Sequence, residues 1–216
     1  MAADERSHIV GIPFDIDTIV SNSYKDFHAK GVDYICVRRS PSLTVKLYFF
    51  DGDASKTGEV VYPHDHRYAF DTLVLVGAIE NVRYATDRRR AAGDRVGPLV
   101  YNEFEYRTPL NGGNGFTFRR QRVLAETSRD RYDQGEVYSQ FPSEIHTIRI
   151  AEDRTVLFLR QYADEVPVDA PTRTFARGAE PKLDGLYSRF TPDEVITRLE
   201  RVAAPLLMWA FDGGIA

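Results

Sequence analysis

The sequence predicts a mainly β protein, an antiparallel sandwich or barrel with one helix near each end. Three observations lead there. About ten short strand-like runs follow one another, separated by turn residues. The run from Pro142 to Ile150 alternates cleanly, with His146, Ile148 and Ile150 on one face and Ile145, Thr147 and Arg149 on the other. The segment Thr191-Pro192-Asp193-Glu194 carries a capping box, with threonine as N-cap, proline at the first helical position and glutamate closing the box.

Taken in order, residues 12–30 predict a helix. Asp15 or Asp17 caps it, Ile19, Val20, Tyr24 and Phe27 form its apolar face, and Gly31 stops it. Strands follow at Val32–Arg39 and Ser42–Asp51, divided by Ser40-Pro41. In the second, Val45, Leu47 and Phe49 alternate with Lys46, Tyr48 and Phe50, so both faces carry apolar bulk. Beyond a turn-rich loop at 51–58 come a strand bearing two histidines, then Thr72–Val76, a turn at Gly77, and Ile79–Tyr84. A polar loop at 87–97 precedes a second group of strands: Leu99–Arg107, Phe116–Leu124, Glu136–Phe141, Glu144–Ile150 and Thr155–Tyr162. The glycine-rich 111–115 segment reads as a hairpin turn, and Asp153 with Arg154 turns the last pair. Residues 163–190, with Pro167, Pro171 and Pro181, are expected to wrap the outside as an extended segment. The capping box then opens a helix over 191–204 whose buried stripe is Val195, Leu199 and Val202. One domain over 1–216 is expected, with its β core at approximately 32–162.

Composition narrows the function classes. The net charge is -4 and no basic surplus exists, which argues against general binding to nucleic acid or an anionic membrane. The one basic run, Arg88 to Arg90, is flanked by acids and reads as a solvated loop. The single cysteine, Cys36, permits no intramolecular disulfide framework and reads as a small buried residue. With neither a secretory signal nor a run of ~18 apolar residues, a cytoplasmic location is expected.

The chemistry centres on His64-Asp65-His66. In an extended backbone the two histidines point to one face and Asp65 away from it, so both imidazoles reach one ion. Such a pair arises by chance in roughly one chain in nine of this composition, so a third ligand is needed. Of His8, His28 and His146, only His146 lies on a strand whose apolar face makes it inward-pointing. His8 is near the terminus and His28 ends the first helix.

Around these histidines the sequence resembles the cupin superfamily. Gly58 is followed by five residues, then His64-Asp65-His66, then four residues to Asp71 in the acid position, and then Gly77. Pro142 and His146 approximate the second motif. Aspartate stands where the family has glutamate, the downstream spacing is one residue short, and the segment between the motifs is long. The resemblance spans roughly residues 43–162 and implies a cupin-type antiparallel β-barrel, or jelly roll, holding a divalent metal on His64, His66 and His146. Asp71 is a fourth ligand, an orienter of a histidine, or the cap of a turn.

Further site residues follow from strand parity. Glu144 shares the face of His146 and is the candidate general base or fourth ligand, with Tyr162 as a second acid/base. An inward Arg160 suits a substrate carboxylate or phosphate, and Tyr62 and Tyr68 have the parity of the histidines and line the pocket. Three neutral imidazoles leave the full charge of the ion and several open positions, which suits Fe(II), O2 and a small anionic or chelating substrate. The expectation is therefore a mononuclear non-heme iron dioxygenase. The Ser-x-His-x-Tyr relay of the thiol dioxygenases is missing, and Leu159-Arg160-Gln161-Tyr162 stands in roughly that region. The alternatives are a redox-neutral isomerase, lyase or epimerase using Zn, Mn or Ni, and a non-catalytic binding cupin. Cupins often pair, so a homodimer through residues 1–30 or 163–190 is also expected.

Overall fold

The outer face of one sheet is covered by the two helices, and its inner face looks across a second sheet. The computed structural model describes residues 8–9, 12–13, 15–28, 30–51, 62–86, 99–108, 112–167, 169–181 and 186–211. Gly58, most of the 51–58 loop, Arg88–Arg90 and the rest of the 87–97 loop lie outside them.

A two-residue pair, β1 (His8–Ile9) and β2 (Ile12–Pro13), precedes α1 (Ile16–Asn22). The strands β3 (Val32–Arg39), β4 (Leu43–Phe50), β5 (Tyr68–Val76), β6 (Ala78–Ala85), β7 (Leu99–Arg107) and β8 (Gly115–Asp133) follow. Then come β9 (Val137–Gln140), β10 (Ile145–Ile150), β11 (Val156–Asp164), β12 (Thr172–Ala176) and α2 (Pro192–Phe211). One sheet has the order β3-β4-β11-β5-β9 and the other β10-β6-β8-β7-β12, with antiparallel pairing throughout. The fold is the mainly β, jelly-roll type of architecture that the strand pattern predicted.

Two apolar clusters explain the layering. Ile35, Leu47, Phe49, Leu73, Leu75 and Val156 pack against Ile19 of α1 and Val195, Leu199 and Val202 of α2. Val32, Phe50, Phe70, Val74, Leu157 and Leu159 point the other way and meet Ile79 and Ile150 of the second sheet. Strands covered on both faces carry apolar bulk on both, which is why Leu47 and Phe49 alternate with Tyr48 and Phe50 along β4, with Thr44 and Lys46 as its buried polar residues. The capping box of α2 is formed: the Thr191 amide donates to Glu194 Oε2 at 2.8 Å, and the Glu194 amide donates to Thr191 Oγ1 at 3.3 Å.

Four expectations need correction. The helix over 12–30 is only Ile16–Asn22, because Ser23 is extended and Tyr24 pairs instead with Tyr34. Its N-cap is Asp15, which accepts from the Asp17 and Thr18 amides. The strand expected at Phe116–Leu124 runs on to Asp133, through a stretch too polar to read as strand. Pairing with β6 and β7 on either side carries it, aided by cross-strand ion pairs such as Arg83–Asp130 at 3.0 Å and Glu103–Arg120 at 2.8 Å. Residues Thr172–Ala176, expected as part of an external wrap, form an edge strand on β7. The C-terminal helix continues past 204 through Pro205 to Phe211.

Candidate metal centre

The histidine segment is not a regular strand but a short bridge that joins the two edges of one sheet. His64 exchanges backbone hydrogen bonds with His146 of β10, at 2.9 and 3.0 Å. On its other side the Phe175 amide donates to the Pro63 carbonyl at 2.8 Å, and the Asp65 amide donates to the Arg173 carbonyl at 3.1 Å. Asp65 is turned away from the histidines, as the alternation predicted. Its carboxylate accepts from the Arg173 amide at 2.6 Å and from Arg173 Nε at 2.5 Å. A charge-assisted clamp of this kind fixes the segment against β12, and strand pairing brings His64 beside His146 across 82 residues of chain.

The three histidines expected to bind metal do converge. One ligand nitrogen from each of His64, His66 and His146 lies within 4.8 Å of the other two. His66 Nε2 and His146 Nε2 are 2.9 Å apart. Two nitrogens held ~2.1 Å from one ion at a right angle to each other are about 3 Å apart, so the spacing fits a shared cation. A proton on His66 also satisfies that single contact, but it leaves the third imidazole at the same point unexplained.

The neighbours of the rings select the ligating nitrogen. His146 Nδ1 lies 2.8 Å from Asn81 Oδ1, and His64 Nδ1 lies 2.8 Å from the Tyr62 carbonyl oxygen. Each oxygen accepts only, so each ring places its proton on Nδ1 and leaves the Nε2 lone pair free. Burial pushes all three histidines below the ordinary imidazole range. The charges of the other imidazoles deepen the effect at His66, as does the Lys46 ammonium. Neutral rings are the form a metal needs.

Behind His146 runs a buried polar chain that the sequence reading missed. Asn81 Nδ2 donates to Gln140 Oε1 at 3.3 Å, and Gln140 Nε2 donates to Glu144 Oε2 at 3.1 Å. Asn81 and Gln140 are both fully buried. The available signal was an asparagine two residues after Ile79 and therefore on the same strand face as that isoleucine. Replacing Asn81 by leucine is expected to weaken metal affinity roughly 10–100-fold, while Asn81→Asp, which keeps the acceptor, holds most of it. Competition against a chromophoric chelator reads both.

The remaining site expectations divide. Tyr68 lines the cavity beside the histidines, together with Tyr48, Phe50, Phe70 and Tyr138. His28, set aside in the sequence, also lines it. The residue lies beyond α1 with φ 65°, and its Nδ1 is 2.9 Å from the Tyr187 hydroxyl. Tyr62 is not in the lining and is 47% exposed, contributing its carbonyl rather than its ring. Glu144 caps the turn before β10, accepting from the Phe141 amide at 2.9 Å. Arg160 and Tyr162 have the parity of Val156 and Phe158, but that face looks toward the helices; Leu157 and Leu159 face the cavity. Asp71 is on this same outer side and is not among the converging ligands. Its carboxylate accepts from Ser139 Oγ at 2.6 Å and from the Tyr162 hydroxyl, with Arg160 Nη2 at 3.7 Å. Burial opposes its ionisation, yet these hydrogen bonds and the arginine charge hold its carboxyl below the usual range. The cavity volume is about 90 Å³, and no carboxylate is among its described lining residues.

No helix of the described residues is long and apolar enough to cross a membrane. No protein-family model matches the sequence, and no curated protein matches it. Solved structures do. The chain is similar to KdgF from Halomonas sp., at 15% identity and a TM-score of 0.34, covering 62% of this chain and 82% of that one. It is similar to a cupin superfamily protein from Desulfitobacterium hafniense DCB-2, at 14% and 0.35, covering 62% and 78%. A third is an RmlC-like cupin from Shewanella frigidimarina NCIMB 400, at 12% and 0.37, covering 67% and 88%. The three structures named are cupin-fold proteins, and at 12 to 15% identity and TM-scores of 0.34 to 0.37 they assign no role to this chain.

Proposed function

We propose that the protein is a mononuclear non-heme iron oxygenase of cupin type that acts on a small anionic molecule. The observation that carries the reading is the convergence of three imidazoles in a cavity with no carboxylate among its described lining residues. Such a donor set leaves the charge of a divalent ion uncompensated and several of its positions open. Bound there, Fe(II) supplies coordination sites for O2 and for a chelating or anionic substrate group. His64, His66 and His146 hold the ion, and Asn81 and the Tyr62 carbonyl keep two of the rings in the ligating tautomer. The aromatic and aliphatic walls keep water away from the reacting groups.

The redox-neutral alternative asks for an acid/base beside the metal. Glu144 is engaged in a turn and Tyr162 is on the far face of β11, so neither is among the described lining residues, which leaves a lining tyrosine such as Tyr68 for that role. Reconstitution with Fe(II) under anaerobic conditions tests the proposal. One iron per chain is expected, with an S = 3/2 electron paramagnetic resonance signal on adding nitric oxide. Zinc retained at one per chain by protein that refuses iron overturns it.

A further inference from the structure

Lys46 is 6% exposed, a nearly complete burial for a cation. Its ammonium lies over two rings, 4.9 Å from the Tyr68 centroid and 5.7 Å from that of Tyr34. Among the described residues its one hydrogen bond is a long one, 3.4 Å to the Tyr68 hydroxyl. Among the described residues no carboxylate forms an ion pair with it. Aromatic faces offset part of the desolvation of an ammonium, but a buried charge with three donors and one long hydrogen bond still wants an anion.

The position of Lys46 says where that anion comes from. On β4 it has the parity of Tyr48 and Phe50, which line the cavity, and its partner across the sheet is Leu159, which also lines it. The Tyr68 ring touched by the ammonium also neighbours His66, whose ring centroid is 5.4 Å from it. A cation thus sits beside the metal centre on the same inner surface, where Arg160 was expected and is not found.

We propose that Lys46 is the anion anchor of this cavity and binds the carboxylate of the small molecule whose other end reaches the three histidines. A monoanion is favoured over a phosphate. The ammonium is a single point charge beside the Tyr68 wall, Lys46 not itself being among the described lining residues, and no other lysine or arginine is among them to share a dianion. The proposal rests on the cavity being the substrate site of the oxygenase reading, but its test is separable from that reading.

The test is calorimetric titration of the full chain, metal-loaded and metal-free, with propionate and butyrate against the neutral propionamide and butyramide. Wild type is expected to prefer each carboxylate to its amide by at least about tenfold. Lys46→Met is expected to abolish that preference without lowering metal content, and Lys46→Arg to keep most of it. Because the methionine removes an unpaired buried charge, it is expected not to lower Tm. The proposal is overturned by no measurable binding of either carboxylate to wild type, or by equal binding of acid and amide. It is also overturned by unchanged carboxylate affinity in Lys46→Met, whether carboxylates then bind the metal instead or Lys46 is only structural. Lys46-dependent carboxylate binding in a chain that retains no metal keeps the anchor and sinks the oxygenase reading.

Discussion

Replacing His66 by alanine is expected to abolish stoichiometric metal binding. Each ligand contributes to holding one ion, and two imidazoles retain a divalent metal far more weakly than three. Dialysis against a mild chelator followed by metal analysis reads the loss. Thermal melting gives an independent measure. At a metal concentration 100 times Kd, binding to the native state adds about 2.7 kcal/mol, which for a chain of this size raises Tm by roughly 5–10 °C. Wild type should show that shift, and His66→Ala should show none. His146→Ala should lose metal as completely and also melt lower without metal. Its ring is buried, and its removal strands the Asn81 carbonyl oxygen in the core. His66 is half-buried and therefore the cleaner probe. Retention of one metal per chain by both variants would remove the site.

The second large effect is expected at Gly77, where β5 of one sheet turns into β6 of the other. Its φ is +79°, and a Cβ added there meets Thr155 Oγ1 at 2.3 Å and the Thr155 Cα at 3.0 Å. Alanine is therefore penalised twice, by the left-handed backbone and by a backbone neighbour that cannot move aside. Thr155 is fully buried, and its hydroxyl donates to the Glu152 carbonyl at 2.7 Å and accepts from the Ala78 amide at 3.2 Å. Displacing it breaks the junction between the sheets. Gly77→Ala is expected to cost about 2–5 kcal/mol in urea unfolding, a large part of the stability of a domain this size. Gly135 supplies the control. Its φ is +88° with nothing within 4 Å of an added Cβ, so Gly135→Ala should cost only about 1 kcal/mol. Equal losses at the two positions would show that the clash with Thr155 contributes nothing.

Sequence alone determined whatever depends on local pattern. Alternation over Ile145 to Ile150 placed His146 inward, and the i, i+2 spacing placed His64 and His66 on one side with Asp65 opposite. The turn at Gly77 and the capping box at Thr191 were legible because their chemistry lies within a few neighbouring residues. Tertiary structure decided which face was inside. The helices cover the outer face of β3-β4-β11-β5-β9, so β11 is apolar on both sides. Alternation there could not tell the Leu157 face, which lines the cavity, from the Val156 face, which carries Arg160 and Tyr162 outward. Asp71 followed the same ambiguity to the wrong side of β5. Only long-range strand pairing brought Asn81 behind His146, carried the strand on through the charged run from Ala125 to Asp133, and placed Lys46 beside the metal centre. These contacts join residues tens of positions apart, and no spacing along a chain encodes which partners the packing of two sheets will bring together.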